Sequence, residues 1–238
     1  MPIKTTAQDA ALEQIMELIQ RKEIFPGARL FETDLEKSLG MSRTPIRGAL
    51  DQLVVDGILE KKQNQRGYFF PKLTLSDLYE AYIFRERLEV TSVSLACLNW
   101  NHQAGKKMYD AIRTENEKNE TQICDTYKDL SDGFHVTLAA SSGNEYLVRA
   151  LKQVYLRICM YELFYGISLY RVDRDQDRHK DSNDQMILQH EDIVVSIAQR
   201  DMAAAVKKMV RHLRHAPAAS EHVMSFFKWK EYEKIFPN

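Results

Sequence analysis

The stretch GMSRTPIRGAL, residues 40–50, decides how the rest of the chain is read. Ser42 is a suitable helix N-cap. Pro45 falls in the first turn, where its missing N–H costs nothing. A helix is therefore predicted to begin near Arg43, with Arg43, Thr44 and Arg47 close to its N-terminus and Ile46 and Leu50 on an apolar side. Free N–H groups and the helix dipole favour phosphate at such an end. An arginine there carries a planar fork that matches guanine O6 and N7, worth about 1–3 kcal/mol of base discrimination. In a helix-turn-helix this same end reaches the base edges. Any one of these residues also fits an exposed, capped helix with solvated arginines.

The flanks narrow the choice. TTAQDAALEQIMELIQRKEI carries a helical apolar stripe at Leu12, Ile15, Met16, Leu18 and Ile19, and stops before the turn at Pro26 and Gly27. ETDLEKSLG is a short helix closed by Gly40. ILEKKQNQRGYFF reads as two short strands around a polar turn, with Lys61 and Lys62 on one arm and Arg66 and Gly67 opening the other. Helix, helix, turn, helix, hairpin is the order of a winged helix-turn-helix, assigned to residues 1–71.

Total charge names no partner, because the 238 residues sum to −1. A nucleic-acid reading therefore needs a local basic face, which Arg43, Arg47, Lys61, Lys62 and Arg66 supply. The three cysteines are odd in number and form no CxxC pair, which suits reduced thiols in a cytoplasmic protein. No apolar run of membrane-spanning length and no signal-peptide core is visible.

Residues 72–75 read as a linker and residues 76–222 as an all-helical bundle, without strand signals. Helices are expected within LSDLYEAYIFRERLEVTSVSLACLNW, ICDTYKDLSDGFHVTLAASSG, NEYLVRALKQVYLRICMYELFYGISLY, NDQMILQHEDIVVSIAQR and DMAAAVKKMVRHLRHA. YRVDRDQDRHKDSND reads as a charged loop or frayed helix end. Residues 223–238 form an aromatic tail, expected to dock on the bundle or on a second subunit. The fold class is thus mainly α, a three-helix head with a β-hairpin wing followed by a helical bundle. Three histidines lie on apolar stripes of separate helices: His135 beside Phe134 and Leu138, His190 in register with Ile193 and Ile197, and His212 between Met209 and Leu213. Each alone fits a core histidine; converging, they would suit Zn²⁺, Ni²⁺ or a similar ion.

Residues 10–71 resemble the DNA-binding domain of the GntR transcription factors, through PGARL, LGMSRTPIRGALDQLVVDGIL and RGYFF. The resemblance implies DNA contacts at Arg29, Arg43, Thr44, Arg47 and Gly67, and the helix cap Ser42 and the basic wing residue Arg66 join them as candidates. Arg29 would hold a phosphate, and Gly67 would let the wing backbone approach the minor groove. Gly48 departs from the family's usual glutamate. Residues 76–215 are similar to the FCD ligand-binding domain of the FadR-like branch, through FRERLE, FHVTLAASSGN and QHEDIVVSIAQRDMAAAVKKMVRHL. That similarity implies a metal site at His135, His190 and His212. The family's fourth ligand, an Asp, is replaced by Ser131, with Asp132 next door.

The resemblance further implies a homodimer on an approximately palindromic double-stranded operator, and no catalytic residues. A small carboxylate-bearing effector (organic acid, sugar acid or amino acid) is expected, with Arg85 as its anchor or as a helix partner of Glu89. The expected function is a repressor released by that effector. The competing class is a metal-dependent hydrolase on the three histidines; it would need a general base, for which no motif such as HExxH is present.

Overall fold

The computed structural model describes residues 6–117, 133–165 and 176–215. Ser131, Asp132, Cys124 and the aromatic tail lie outside the described residues. The head opens with α1 (Ala7–Gln20), started by a capping box in which Thr6 Oγ1 accepts from the Asp9 N–H at 3.1 Å and the Asp9 carboxylate accepts from the Thr6 N–H at 2.9 Å. Strand β1 (Arg29–Leu30) leads into α2 (Glu32–Leu39), which Gly40 closes in the left-handed conformation at φ 64°. Helix α3 (Arg43–Val55) follows. Ser42 occupies the N-cap with extended backbone as predicted, but its hydroxyl makes no capping hydrogen bond.

Buried Ala11, Ile15 and Ile19 belong to the same core as Ile46, Ala49, Leu50 and Leu53, and this joins α1 to α3. Each isoleucine or leucine buried this way contributes about 1.5–3 kcal/mol. Gly48 sits under α1: a Cβ there would stand 2.5 Å from Gln8 Oε1.

The wing differs from the expected hairpin. Strand β2 (Tyr68–Phe69) pairs antiparallel with β1, Arg29 opposite Phe69 and Leu30 opposite Tyr68. The 58–62 arm contributes a single bridge, Glu60 to Phe69. The reason lies in α3, because the N–H groups of Ile58 and Leu59 both donate to Leu53 O, 3.0 Å away, to close that helix. Backbone spent on a helix end is not available to a strand.

The second half is helical: α4 (Leu75–Leu98), α5 (His102–Glu117), α6 (Phe134–Ser141), α7 (Glu145–Tyr165), α8 (Gln176–Ala198) and α9 (Met202–His215). Helix α4 touches α6, α7, α8 and α9, and α5 closes the bundle against α6 and α8. Helix α8 begins at Gln176, inside the stretch read as a charged loop or frayed helix end, which resolves that alternative toward helix, and α5 is an element without a sequence expectation.

The head is not a separate bead. Leu73, Leu78, Leu151, Val154 and Tyr161 continue the core begun by α1 and α3. Along α7, Gln153 donates to Val55 O at 2.5 Å, Arg157 pairs with Asp77 at 2.7 Å and donates to Lys72 O at 3.2 Å, and Phe164 packs edge-on against Phe70. The Tyr161 hydroxyl accepts from the Thr74 N–H at 2.9 Å and meets the Asp77 carboxylate. One helix thus clamps the linker and the end of α3 together.

Candidate functional site

Two sites emerge, at opposite ends of this clamp. At the head, Arg43 and Arg47 project from one side of α3, four residues apart and more than half exposed. Arg47 donates through Nε and Nη2 to the two oxygens of Glu32, at 2.8 and 3.0 Å. Arg43 donates through the same pair of nitrogens to Glu36 Oε2, at 3.3 and 3.1 Å. The Arg47 hydrogen bond pulls the Glu32 carboxyl below its ordinary range, against the opposing effect of burial. Ser42, Thr44 and Arg66 are exposed as well.

Arg29 does something sequence reading did not anticipate. Its Nε and Nη2 donate to Arg66 O at 2.8 and 2.5 Å, and its guanidinium lies over the Phe31 and Phe69 rings. It ties the base of the wing to β1. Gly67, at φ 87°, lies where a Cβ would come within 2.7 Å of Leu30 O, so glycine is needed for this close strand approach whatever else the position does.

In the bundle, His135 from the first turn of α6, His190 from α8 and His212 from α9 are all buried, and they converge as anticipated. His190 Nε2 lies 3.2 Å from His212 Nε2, which lies 3.4 Å from His135 Nε2. Each Nδ1 is turned outward to an oxygen: His135 to Glu89, His212 to Gln189 Oε1 at 2.9 Å, and His190 to Glu115 Oε2 at 3.3 Å. The His190 contact is close but misaligned for a hydrogen bond. Glu115 is anchored independently, its Oε1 accepting from the Phe134 N–H at 2.7 Å. Arg85 is buried and donates through Nε to Glu89 Oε1 at 2.6 Å, with its guanidinium over Tyr155.

The protonation states follow from this arrangement. Burial alone would push the Glu89 carboxyl up, but His135 and Arg85 outweigh it and hold the group well below the usual carboxylate range. Burial pushes the His135 imidazole down, against the pull of Glu89. A neutral ring donating Nδ1–H to Glu89 leaves a lone pair on Nε2, the form a metal requires. Zinc at about 2.0–2.1 Å from each of two nitrogens in a tetrahedron spaces them by about 3.4 Å. The observed spacings match, so the donor set fits a divalent ion of borderline softness.

Comparisons with known proteins meet this geometry. The model described as "Bacterial regulatory proteins, gntR family" matches residues 7–69, and the FCD domain model matches residues 77–215, more than half of the chain. The chain belongs to the GntR family and carries an FCD domain. It is 33% identical over 133 residues to the Nta operon transcriptional regulator of Aminobacter aminovorans, covering 56% of this chain and 62% of that one. It is 27% identical over 216 residues to the HTH-type transcriptional regulator YdhC of Bacillus subtilis, covering 89% of each. The HTH-type transcriptional repressor GlaR of Escherichia coli K12 is 24% identical over 200 residues, covering 82% of this chain and 87% of GlaR. The solved structure of E. coli McbR/YncC superposes with a TM-score of 0.63 at 19% identity, over 90% of this chain and 96% of that one.

The protein is therefore a GntR-family DNA-binding transcriptional regulator, mainly helical, with a winged helix-turn-helix followed by the FCD bundle. Among its described residues no helix is long and apolar enough to cross a membrane. FCD domains can bind metal, and the histidine cluster of this one has the donors to do so. Three residues of the FCD site went unnoticed or unassigned in the sequence: Glu89, Glu115 and Gln189. Glu89 closes the FRERLE motif. Glu115 follows Met108, Ala111 and Ile112 at helical spacing, a stripe that marks α5 and places the carboxylate on its inward side.

Proposed function

We propose that this regulator represses its target until a small carboxylate-bearing effector enters the FCD bundle beside a divalent ion held by His135, His190 and His212. The ion would be zinc or nickel, supplying Lewis acidity toward an anionic oxygen. Glu89, Glu115 and Gln189 orient the three rings, and Arg85 acts through Glu89. The head reads an approximately palindromic operator as a dimer. Arg43 and Arg47 approach base edges, Ser42 and Thr44 lie at the positive end of α3, and Arg66 and Gly67 carry the wing. Arg29 fixes the wing. The working division is head to residue 71, linker 72–75, bundle 76–222 and tail 223–238, in a cytoplasmic protein.

The observation that carries this reading is the convergence of three buried Nε2 atoms whose Nδ1 atoms all face oxygen partners. The same geometry speaks against hydrolysis. Glu89 and Glu115, the carboxylates of the site among the described residues, face the Nδ1 side, where they steady imidazoles rather than a water on the Nε2 side. Regulation requires the effector to favour one arrangement of the heads, and α7 connects the two, with Tyr155 against His135 and Gln153 on Val55.

The test is elemental analysis of untagged protein, followed by binding to a duplex selected from a randomised pool, with and without a panel of small acids. Stoichiometric zinc or nickel, together with an acid that weakens the complex in wild type but not in His190→Ala, is expected. Protein that carries no first-row metal and releases DNA to the same acid would reject the metal role.

A further inference from the structure

Arg43 and Arg47 are both gripped side-on by a carboxylate of α2, Arg47 by the two oxygens of Glu32 and Arg43 by one oxygen of Glu36. A guanidinium has five N–H bonds. The side-on grip on Arg47 engages Nε and Nη2, and the grip on Arg43 engages the same two nitrogens. What remains is the end-on fork formed by Nη1 and the outer Nη2 hydrogen, the fork that meets guanine O6 and N7.

The carboxylates stand behind the arginines. Side-chain exposure is 21% for Glu32 and 29% for Glu36, against 57% for Arg47 and 51% for Arg43. Glu32 is the first residue of α2, where the helix dipole favours a carboxylate. It also lies 3.6 Å from Arg43 Nε, so it braces both arginines. From residue 29 to residue 67 the head carries seven basic and six acidic side chains, which leaves little surplus charge to hold phosphate indiscriminately.

We propose that Glu32 and Glu36 are positioning residues that set base specificity, fixing Arg47 and Arg43 with their end-on forks outward and cancelling their attraction for phosphate. The proposal rests on the assignment of these arginines to base reading. It predicts a protein that binds random DNA weakly and its operator selectively. It also predicts that removing the carboxylate costs selectivity rather than total affinity. A freed arginine keeps its charge, gains conformers and turns to the nearest phosphate.

The experiment selects a duplex from a randomised pool with the wild-type protein. It then measures affinity for that duplex and for a scrambled duplex of equal length, at two salt concentrations. The variants are Glu32→Gln, Glu36→Gln, Arg47→Ala and the Glu32→Gln/Arg47→Ala pair. Glu32→Gln should lower the selected-to-scrambled ratio by roughly tenfold, the worth of one bidentate base contact. Its affinity for the scrambled duplex should hold or rise, and its salt dependence should steepen. In the Arg47→Ala background the same change should do little, because the glutamate acts through the arginine. A ratio kept within about twofold by both glutamine variants, while Arg47→Ala collapses it, overturns the positioning role. A ratio untouched by Arg47→Ala overturns the arginine assignment and the proposal with it.

Discussion

Gln153, midway along α7, donates its side-chain amide to the main-chain oxygen of Val55, the last residue of α3, across 2.5 Å. The carbonyls of a helix's last turn lack intrahelical partners, and this one is satisfied from the other domain. Tyr155, two residues along α7, reaches the opposite way, to His135 and Arg85. A shift of α7 therefore moves the end of α3. Gln153→Ala should cost about 0.5–1.5 kcal/mol, the usual net value of a hydrogen bond. Amide exchange should quicken around residues 53–57 and stay unchanged at Ile193 and Met209. Uniform exchange across the head would mean that Gln153 couples nothing.

The buried pair Arg85–Glu89 gives a sharper contrast between two substitutions. Glu89→Ala strips a buried guanidinium of its carboxylate and His135 of its Nδ1 partner. Breaking such a pair costs about 3–5 kcal/mol. In a chain of this size that is a loss of roughly 6–20 °C in Tm, at about 2–4 °C per kcal/mol. Glu89→Gln keeps an oxygen for one partner and should lose less. Thermal unfolding by circular dichroism measures both; equal, small losses would show that the pair is not a structural support of the site.

Much of this was legible in the sequence because the signals were local. The cap, the proline and the apolar stripe of residues 42–54 placed α3, and Gly40 marked the end of α2. The histidine stripes named the site because His135, His190 and His212 each lie in register with core residues of their own helix. Their arrangement was not legible. That Glu115 faces His190 depends on α5 packing against α8, a contact between residues 75 positions apart. The wing is shorter than its composition suggests for a related reason. The end of α3 takes the N–H groups of Ile58 and Leu59, so the 58–62 arm pairs with β2 only at Glu60, and Arg29–Leu30, nearly forty residues from β2, supplies the rest of the pairing.

Gly48 departs from the family's usual glutamate, and it yields a stabilising prediction. Its backbone is helical, so no special φ requires glycine, and the three atoms nearest a new Cβ all belong to the exposed Gln8 side chain. That side chain can swing into solvent. Gly48→Ala should then recover most of the roughly 1 kcal/mol that glycine costs inside a helix and raise Tm by about 2–4 °C. A fall in Tm would show that α1 is pinned over α3 by Gln8 more rigidly than an exposed side chain should be.

The histidine cluster makes a last prediction that does not depend on finding the effector. Three buried imidazoles bring their Nε2 atoms to 3.2 and 3.4 Å of one another, an approach that a cation between them satisfies. An ion that binds only the folded state stabilises by mass action, about 2.7 kcal/mol at a hundredfold excess over its Kd. Protein treated with chelator and dialysed should therefore unfold roughly 5–11 °C below protein resupplied with Zn²⁺ or Ni²⁺. His190→Ala should lose most of this difference. His102→Ala, at the exposed start of α5, should keep all of it. Mg²⁺, a hard ion that prefers oxygen, should give no shift. A rise in Tm that is the same for Mg²⁺ and Zn²⁺, or that survives in His190→Ala, would place the ion elsewhere and leave the three histidines as a polar patch in the core.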